Sequence, residues 1–280
     1  MKRIWIAGST GYLGAFVVQE CVDAGFEVDA LVRRSPERME AMGAKAVVAE
    51  ATIPASFAHS LDGVDVVISC LGITRQKDGL SYEDVDYQAN LNILEAAKSA
   101  GVGHFIYVSV FRGDELRHTS MVGAKERFVE ALRKSGIAYS IVRPTGFYSD
   151  MGEFLTMAKA GRAWLFGDGS QRLNPIHGAD LAEAIVRLVD QPTEVLNIGG
   201  PEVLTMREIA ALAFEAIDEP MKVSSVPMWV ARAAEHVLPS VTPRSFYGPV
   251  EMFLAAARLS MEAPCYGSRT LADYYREVAD

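Results

Sequence analysis

The chain has 280 residues, half of them hydrophobic and 22% charged, which excludes a disordered polymer and supplies enough apolar surface for a sizeable core. Lys and Arg total 27 against 36 Asp and Glu, for a net charge of −9; this excludes a nucleic-acid backbone as the main partner, because phosphate binding needs a clustered basic face. Three cysteines, Cys21, Cys70 and Cys265, are too sparse for a disulfide framework or a zinc site. The opening MKRIWIAGSTGYLG is too short in apolar residues for a secretory core, and no run approaches the roughly 18 needed for an integral membrane span. A cytoplasmic protein is expected.

Taken in chain order, apolar strand-like runs alternate with helix-period segments. Strands are expected at Arg3–Ala7, Glu27–Val32, Lys45–Ala49, Val64–Cys70, His104–Val110 and Ala138–Val142. Helices are expected at Tyr12–Ala24, Pro36–Met42, Tyr82–Ala100 and Thr119–Ser135. Strands this continuously apolar are buried on both faces, as in a parallel sheet covered by helices. The alternation predicts an α/β fold, a doubly wound parallel sheet with right-handed crossovers. After Arg143-Pro144 the rhythm loosens. Helices are expected at Asp180–Val189, Thr205–Ile217 and Trp229–Leu238, and the stretch Met151–Gly169 reads as a glycine-bearing lid. Residues 1–150 therefore read as the core and 151–280 as a small C-terminal substrate lobe. That boundary is soft, because Val195–Ile198 could return a strand to the main sheet.

The first strand runs into Gly8-Ser9-Thr10-Gly11-Tyr12-Leu13-Gly14, a G-x-x-G-x-x-G turn opening a helix. Such a turn lets backbone N–H groups approach a pyrophosphate, and the helix N-terminus adds a favourable dipole. With LVRR after the second strand, YVSV at the fifth, AKERFVEALRKSG, VRPTGFYSDM and NPIHGADLAEAIV, the turn resembles the short-chain dehydrogenase/reductase superfamily in its atypical, NmrA-like branch. The resemblance covers nearly the whole chain and implies a Rossmann fold binding NAD(P) through Gly8, Thr10, Gly11, Tyr12, Leu13 and Gly14. It also implies Glu50 near the adenine, Leu71 and Gly72 beside the adenine ribose, and Pro144, Thr145, Gly146 and Phe147 at the nicotinamide edge. An NAD-selective site carries a carboxylate at the tip of the second strand. Here the tip is Arg33-Arg34, with Asp29 earlier in the strand, which favours NADP(H) over NAD(H) because guanidinium groups suit a 2′-phosphate.

Typical superfamily members use Tyr-x-x-x-Lys on the helix after strand five, plus a Ser. The matching segment is Met121-Val122-Gly123-Ala124-Lys125, and the Ser position falls on Val110, next to Ser109. A thioether is no general acid, so three readings stand. Lys125 does the chemistry alone, its pKa depressed by burial beside a cationic nicotinamide; or Tyr148, Tyr107 or water supplies the proton; or the chain is a non-catalytic NADP(H)-binding redox sensor or assembly protein. Lys125 would also bind the nicotinamide ribose. His177 reads as structural, with Asp180 as the N-cap of the following helix. No metal site is expected. Phe154, Met157, Trp164, Phe166, Met228, Trp229, Phe246, Tyr247, Met252 and Phe253 in the lobe favour a small apolar substrate. The amphipathic Val226–Leu238 lacks the basic face of a membrane-surface helix, which makes it a lid or core helix before a peripheral membrane contact.

Overall fold

The computed structural model describes residues 1–73, 79–230, 251–252, 254–256 and 258–279. The first half alternates as expected: β1 (Arg3–Ala7), α1 (Tyr12–Asp23), β2 (Glu27–Val32), α2 (Glu37–Ala41), β3 (Lys45–Val48), α3 (Pro54–Phe57), β4 (Val66–Ser69), α4 (Asn90–Ser99), β5 (His104–Val108), α5 (Gly113–Leu116), α6 (Ser120–Arg133) and β6 (Ala138–Pro144). After it come α7 (Tyr148–Lys159), β7 (Ala163–Phe166), β8 (Arg172–Leu173), α8 (Gly178–Arg187), β9 (Val195–Ile198), β10 (Leu204–Thr205), α9 (Met206–Glu215), β11 (Val223–Val226) and α10 (Leu271–Val278).

Seven strands form one sheet in the order β3-β2-β1-β4-β5-β6-β9, and every neighbouring pair is parallel. This is the doubly wound Rossmann-like architecture. The pleat sends alternate residues to opposite faces. Ile4, Ile6, Ile106 and Val108 pack with Val17 and Val18 of α1 and Leu181 and Ile185 of α8. Trp5, Phe105 and Tyr107 pack on the other side with Ile93 of α4 and Phe128 and Leu132 of α6.

Residues after 150 contribute to this core. β9 pairs with β6 from Ile141↔Val195 to Pro144↔Ile198, and α8 packs its buried Leu181, Ala182 and Ile185 with α1. The smaller lobe has its own apolar centre, including Phe154, Leu155, Leu165, Ile209, Phe214 and Tyr275. Its small two-stranded sheets are antiparallel β10-β8 and parallel β11-β7. α9 starts with a capping box: Thr205 Oγ1 accepts from the Glu208 N–H at 3.1 Å and Glu208 Oε2 accepts from the Thr205 N–H at 2.7 Å.

Three expectations are corrected here. Met151–Gly169 is not a loop-like lid: its first nine residues lie in α7, with Phe154, Leu155 and Ala158 buried, and β7 follows. Asp180 is not the N-cap of α8; His177 is, its Nδ1 accepting from the Ala179 N–H at 3.2 Å. The expected helix Tyr82–Ala100 is a π-helical turn, Glu83–Ala89, leading into α4. Asn90 Nδ2 donates to the Val85 and Asp86 carbonyls, each at 3.1 Å, and so occupies acceptors near the junction. Of the expected helix Trp229–Leu238, residues beyond 230 lie outside the described residues, as do Phe246, Tyr247 and Phe253.

Arg143, at the end of β6, forms a buried bidentate pair with Glu126 of α6, at 2.9 and 2.6 Å. Ser109 Oγ adds a third donor to Glu126 at 2.8 Å. Gly113 lies so close that a Cβ there would overlap Glu126 Oε1 and Arg143 Nη1. Removing one member leaves the other charge buried and alone, which costs about 3–5 kcal/mol. Arg143→Met is therefore expected to lower unfolding free energy by that amount in denaturant titrations; a loss below about 1 kcal/mol would contradict the buried pair's role.

Candidate active site

The glycine turn sits at the carboxyl end of β1, against the exit of β4. Gly8 has φ +74°, open to glycine at little cost. A Cβ at Gly8 would lie 2.7 Å from the Cys70 carbonyl oxygen and 2.9 Å from the Leu71 nitrogen, and one at Gly14 would overlap the Gly8 carbonyl oxygen. These two glycines let α1 start directly on the sheet. Ser9 Oγ donates to the Leu31 carbonyl at 2.5 Å and ties the turn to β2. Thr10 and Gly11 are exposed, Tyr12 is half-buried, and Leu13 faces the core. α1 has Gly11 as its N-cap, with no side-chain cap and no acidic residue in its first turn. An anion is the natural complement of such a terminus, so the turn fits a pyrophosphate.

Arg33 and Arg34 are exposed where β2 ends. Asp29 is buried and spent on Arg3 at 2.5 Å, with Lys45 at 3.9 Å; it offers no carboxylate to a ribose at the strand tip. Glu50 is half-buried just past β3, its backbone bonded to Ser56 Oγ. Leu71 and Gly72 leave β4 beside the glycine turn. On the far side, Pro144 ends β6, Thr145 Oγ1 donates to the Asn174 carbonyl at 2.6 Å, and the Gly146 carbonyl accepts from Ile176 at 2.8 Å. Phe147 forms the N-cap of α7, its ring 6.0 Å from that of Tyr12.

The catalytic candidates separate. Lys125 of α6 has its side chain 11% exposed and Nζ 3.0 Å from Asp86 Oδ1, a carboxylate with no exposure at all. Nζ also lies 5.6 Å from the Tyr107 ring centroid. Gly72 completes the cage: a Cβ on it would sit 2.7 Å from both Asp86 Oδ1 and Lys125 Nζ. Asp86 Oδ2 accepts from the Ile73 N–H at 3.3 Å, and Ser69 Oγ donates to Asn90 Oδ1 at 2.6 Å. Burial works to lower the Lys125 pKa, but the Tyr107 hydroxyl and the Asp86 carboxylate beside it prevail and hold the ammonium above the ordinary lysine range. The protein's own groups thus hold Lys125 as an ammonium ion; the depression expected beside a cationic nicotinamide does not arise from them. Burial pushes the Asp86 carboxyl and the Tyr107 phenol up as well.

Tyr148 is not part of this group. Its ring packs near His177 and Tyr274, its hydroxyl donates to the Arg269 carbonyl at 2.6 Å, and burial raises its pKa. It is a packing residue with a committed proton, and its candidacy as proton donor is withdrawn. Val110, at the superfamily's Ser position, offers only its carbonyl, to Arg143 at 2.9 Å, and the neighbouring Ser109 hydroxyl is spent on Glu126. Met121 is buried beside Tyr82 and Ala124. Among the described residues, no group of three or more His, Cys, Asp or Glu is placed to hold a metal ion, and no helix is long and apolar enough to cross a membrane. Sequence reasoning missed Asp86, Asn90 and Tyr82; the available signal was their spacing along one helix, with Asp86 and Asn90 four apart.

Comparison with known proteins points to a dinucleotide-binding family. The family described as NAD(P)H-binding matches residues 8–192. The chain is 30% identical to a chloroplastic divinyl chlorophyllide a 8-vinyl-reductase of Cucumis sativus, over 99% of this chain and 76% of that protein. It is 27% identical to the photosystem II assembly factor Ycf39 of Guillardia theta, over 65% of this chain and 59% of that one. Among solved structures, the Escherichia coli NADPH-dependent quinone oxidoreductase QOR2 complexed with NADPH has a TM-score of 0.78 at 19% identity, covering 99% of this chain and 100% of that one; this likeness shows the fold.

With Asp86→Asn the anion that holds the Lys125 ammonium is gone and burial acts with less opposition. The Lys125 side-chain NMR signal is expected to titrate at lower pH in this variant than in the wild type, where it stays charged beyond the usual lysine value of about 10.5. The wild-type pair is a raised-pKa case: its stabilisation is complete below the unfolded lysine value and lost as pH climbs through the folded one. An unchanged midpoint in Asp86→Asn would show that the carboxylate does not control the lysine.

Proposed function

Since the chain belongs to the NAD(P)H-binding family, we propose that it is an NADPH-dependent reductase of a conjugated carbon–carbon double bond on an apolar small molecule. One observation carries this reading: α6 presents Lys125 as a caged cation, while the position four residues earlier, where carbonyl reducers keep a tyrosine, is Met121. Carbonyl reduction puts a full charge on one oxygen and calls for a strong donor at that atom. A conjugated acceptor spreads the charge, so a nearby fixed cation stabilises it without giving up a proton. The vinyl-reductase likeness over nearly the whole chain supports the same class of acceptor.

In this reading the glycine turn Gly8–Gly14 holds the pyrophosphate through backbone N–H groups. Arg33 and Arg34 take the 2′-phosphate, Glu50, Leu71 and Gly72 flank the adenosine, and Lys125 meets the nicotinamide ribose. Pro144, Thr145, Gly146 and Phe147 border the nicotinamide. Bound NADPH supplies a hydride. The residues' own task is to fix the acceptor, exclude water and keep a positive charge beside the reacting double bond.

The direct test is incubation with NADPH and divinyl chlorophyllide a, following nicotinamide oxidation and formation of the ethyl product. Turnover is expected, falling by several orders of magnitude in Lys125→Met. The likeness to photosystem II assembly factors, together with Trp164 exposed on β7, favours a second reading: a dinucleotide-binding assembly protein without turnover. NADPH binding without oxidation of any acceptor would select it.

Cofactor choice is separately testable by calorimetry. NADPH is expected to bind more tightly than NADH, and replacing both Arg33 and Arg34 with Ala should remove most of the difference. Each charge-assisted phosphate contact is worth about 1.5–3 kcal/mol, or roughly 10- to 100-fold in affinity. Equal wild-type affinities would refute the assignment.

A further inference from the structure

The π-helical turn and α6 lie side by side in a fixed register. Asp86 pairs with Lys125 at 3.0 Å, Arg127 Nη1 donates to Glu83 Oε2 at 2.7 Å, and the Arg127 guanidinium stands 4.1 Å from the Tyr87 ring centroid. Met121 and Lys125 are four apart on α6 and share a face. Opposite them, Tyr82 and Asp86 are also four apart: Asp86 meets Lys125, and Tyr82 packs on Met121 and Ala124 with Ile73 beside it. Thus a phenol ring lies against the residue that replaces the superfamily's tyrosine, delivered from the facing helix. Tyr82 is 2% exposed. Burial, with Asp86 and Glu251 nearby, pushes its pKa up to about 12, so it carries its proton throughout the neutral range.

We propose that Tyr82 is the proton donor of the reduction, doing from the π-helical turn what a tyrosine at position 121 would do from α6. The inference rests on the reductase reading above. The atoms balance as follows. One alkene carbon gains hydride from NADPH, leaving NADP+; the double-bond electron pair moves to the neighbouring carbon. That carbon forms its C–H bond with the proton of Tyr82 as the O–H bond breaks, and the phenolate regains a proton from water after the product leaves and solvent re-enters. Asp86 fixes Lys125, and Lys125 stabilises both the transient carbanion and the phenolate.

The test uses the full-length protein with NADPH and divinyl chlorophyllide a. Tyr82→Phe keeps the ring and its packing, and should lower kcat by about 10²–10⁴-fold while KM for NADPH stays within about twofold. Adding Met121→Tyr to that variant is expected to restore activity at least tenfold, because the phenol returns to the same space. Tyr82→Phe with kcat within about threefold of wild type would overturn the proposal, as would a loss matched by an equal loss of NADPH affinity. A readout without turnover comes from 3-fluorotyrosine placed at position 82: its ¹⁹F signal should shift on titration with NADP+, and an unmoved signal would overturn the assignment. A wild type inert toward the chlorophyllide removes the reductase reading and the proton donor together, whereas an active wild type with an equally active Tyr82→Phe removes the proton donor alone.

Discussion

An ammonium group with a tenth of its side chain in solvent keeps its charge only if something nearby replaces the water it has lost, and for Lys125 that something is Asp86. Desolvating either ion alone costs several kcal/mol. The rest of the site is arranged so that neither is alone. Asn90 holds the Val85 and Asp86 carbonyls and anchors to β4 through Ser69. The Ile73 amide bonds the second carboxylate oxygen, and Gly72 leaves the space that the pair fills. A cation is thereby stored at the sheet edge where the glycine turn would bring a dinucleotide, at a cost met by the packing of α4 and α6 on the sheet.

The sheet was legible because its signal is redundant. Arg3–Ala7, Glu27–Val32 and His104–Val108 are apolar on both faces, and each is followed by a helix-period segment, so pattern and topology agree. The glycine turn was legible for a different reason: Gly8 and Gly14 occupy positions that no side chain can enter. The lobe's small sheets were not legible, because β8 and β10 are two residues long and exist only through tertiary pairing. Nor could Asp86 be told from Asp84 in Ser81-Tyr82-Glu83-Asp84-Val85-Asp86. Asp84 caps its own turn through Ser81 and stays in solvent, while Asp86 is carried inward by a π-helical turn that propensity does not announce. The same turn hid Tyr82, whose neighbour across the interface is known only once two helices are in register.

Tyr148 shows the opposite failure. Its place after Arg143-Pro144-Thr145-Gly146-Phe147 points to the nicotinamide edge, yet its hydroxyl is committed to the Arg269 carbonyl. The chain past residue 260 returns to the Rossmann core and ties the lobe down. Asp180 accepts from the Ser268 and Arg269 amides at 3.1 Å each and pairs with the Arg269 guanidinium. Gly267, at φ +87°, presses on Asp180 where a Cβ would not fit. Tyr275 Oη donates to the Met151 carbonyl at 2.8 Å. A tyrosine in the path of this return segment is used for closure, and position along the chain alone does not reveal that.

The return segment also bears on where an anion can bind. Two helices, α1 and α8, pack together and begin near one another, with Tyr12 at the start of one reaching the start of the other. α8 is closed: Tyr12 Oη accepts from the Gly178 N–H at 3.1 Å, His177 Nδ1 accepts from the Ala179 N–H at 3.2 Å, and Asp180 places a carboxylate in its first turn. α1 has neither a side-chain cap nor an acid there. A phosphate arriving at this edge meets repulsion and satisfied donors at one terminus and an uncapped positive dipole at the other. Tyr12 therefore does two things at once. Its backbone opens the helix that is left for the cofactor, and its hydroxyl seals the neighbouring helix that would compete for it.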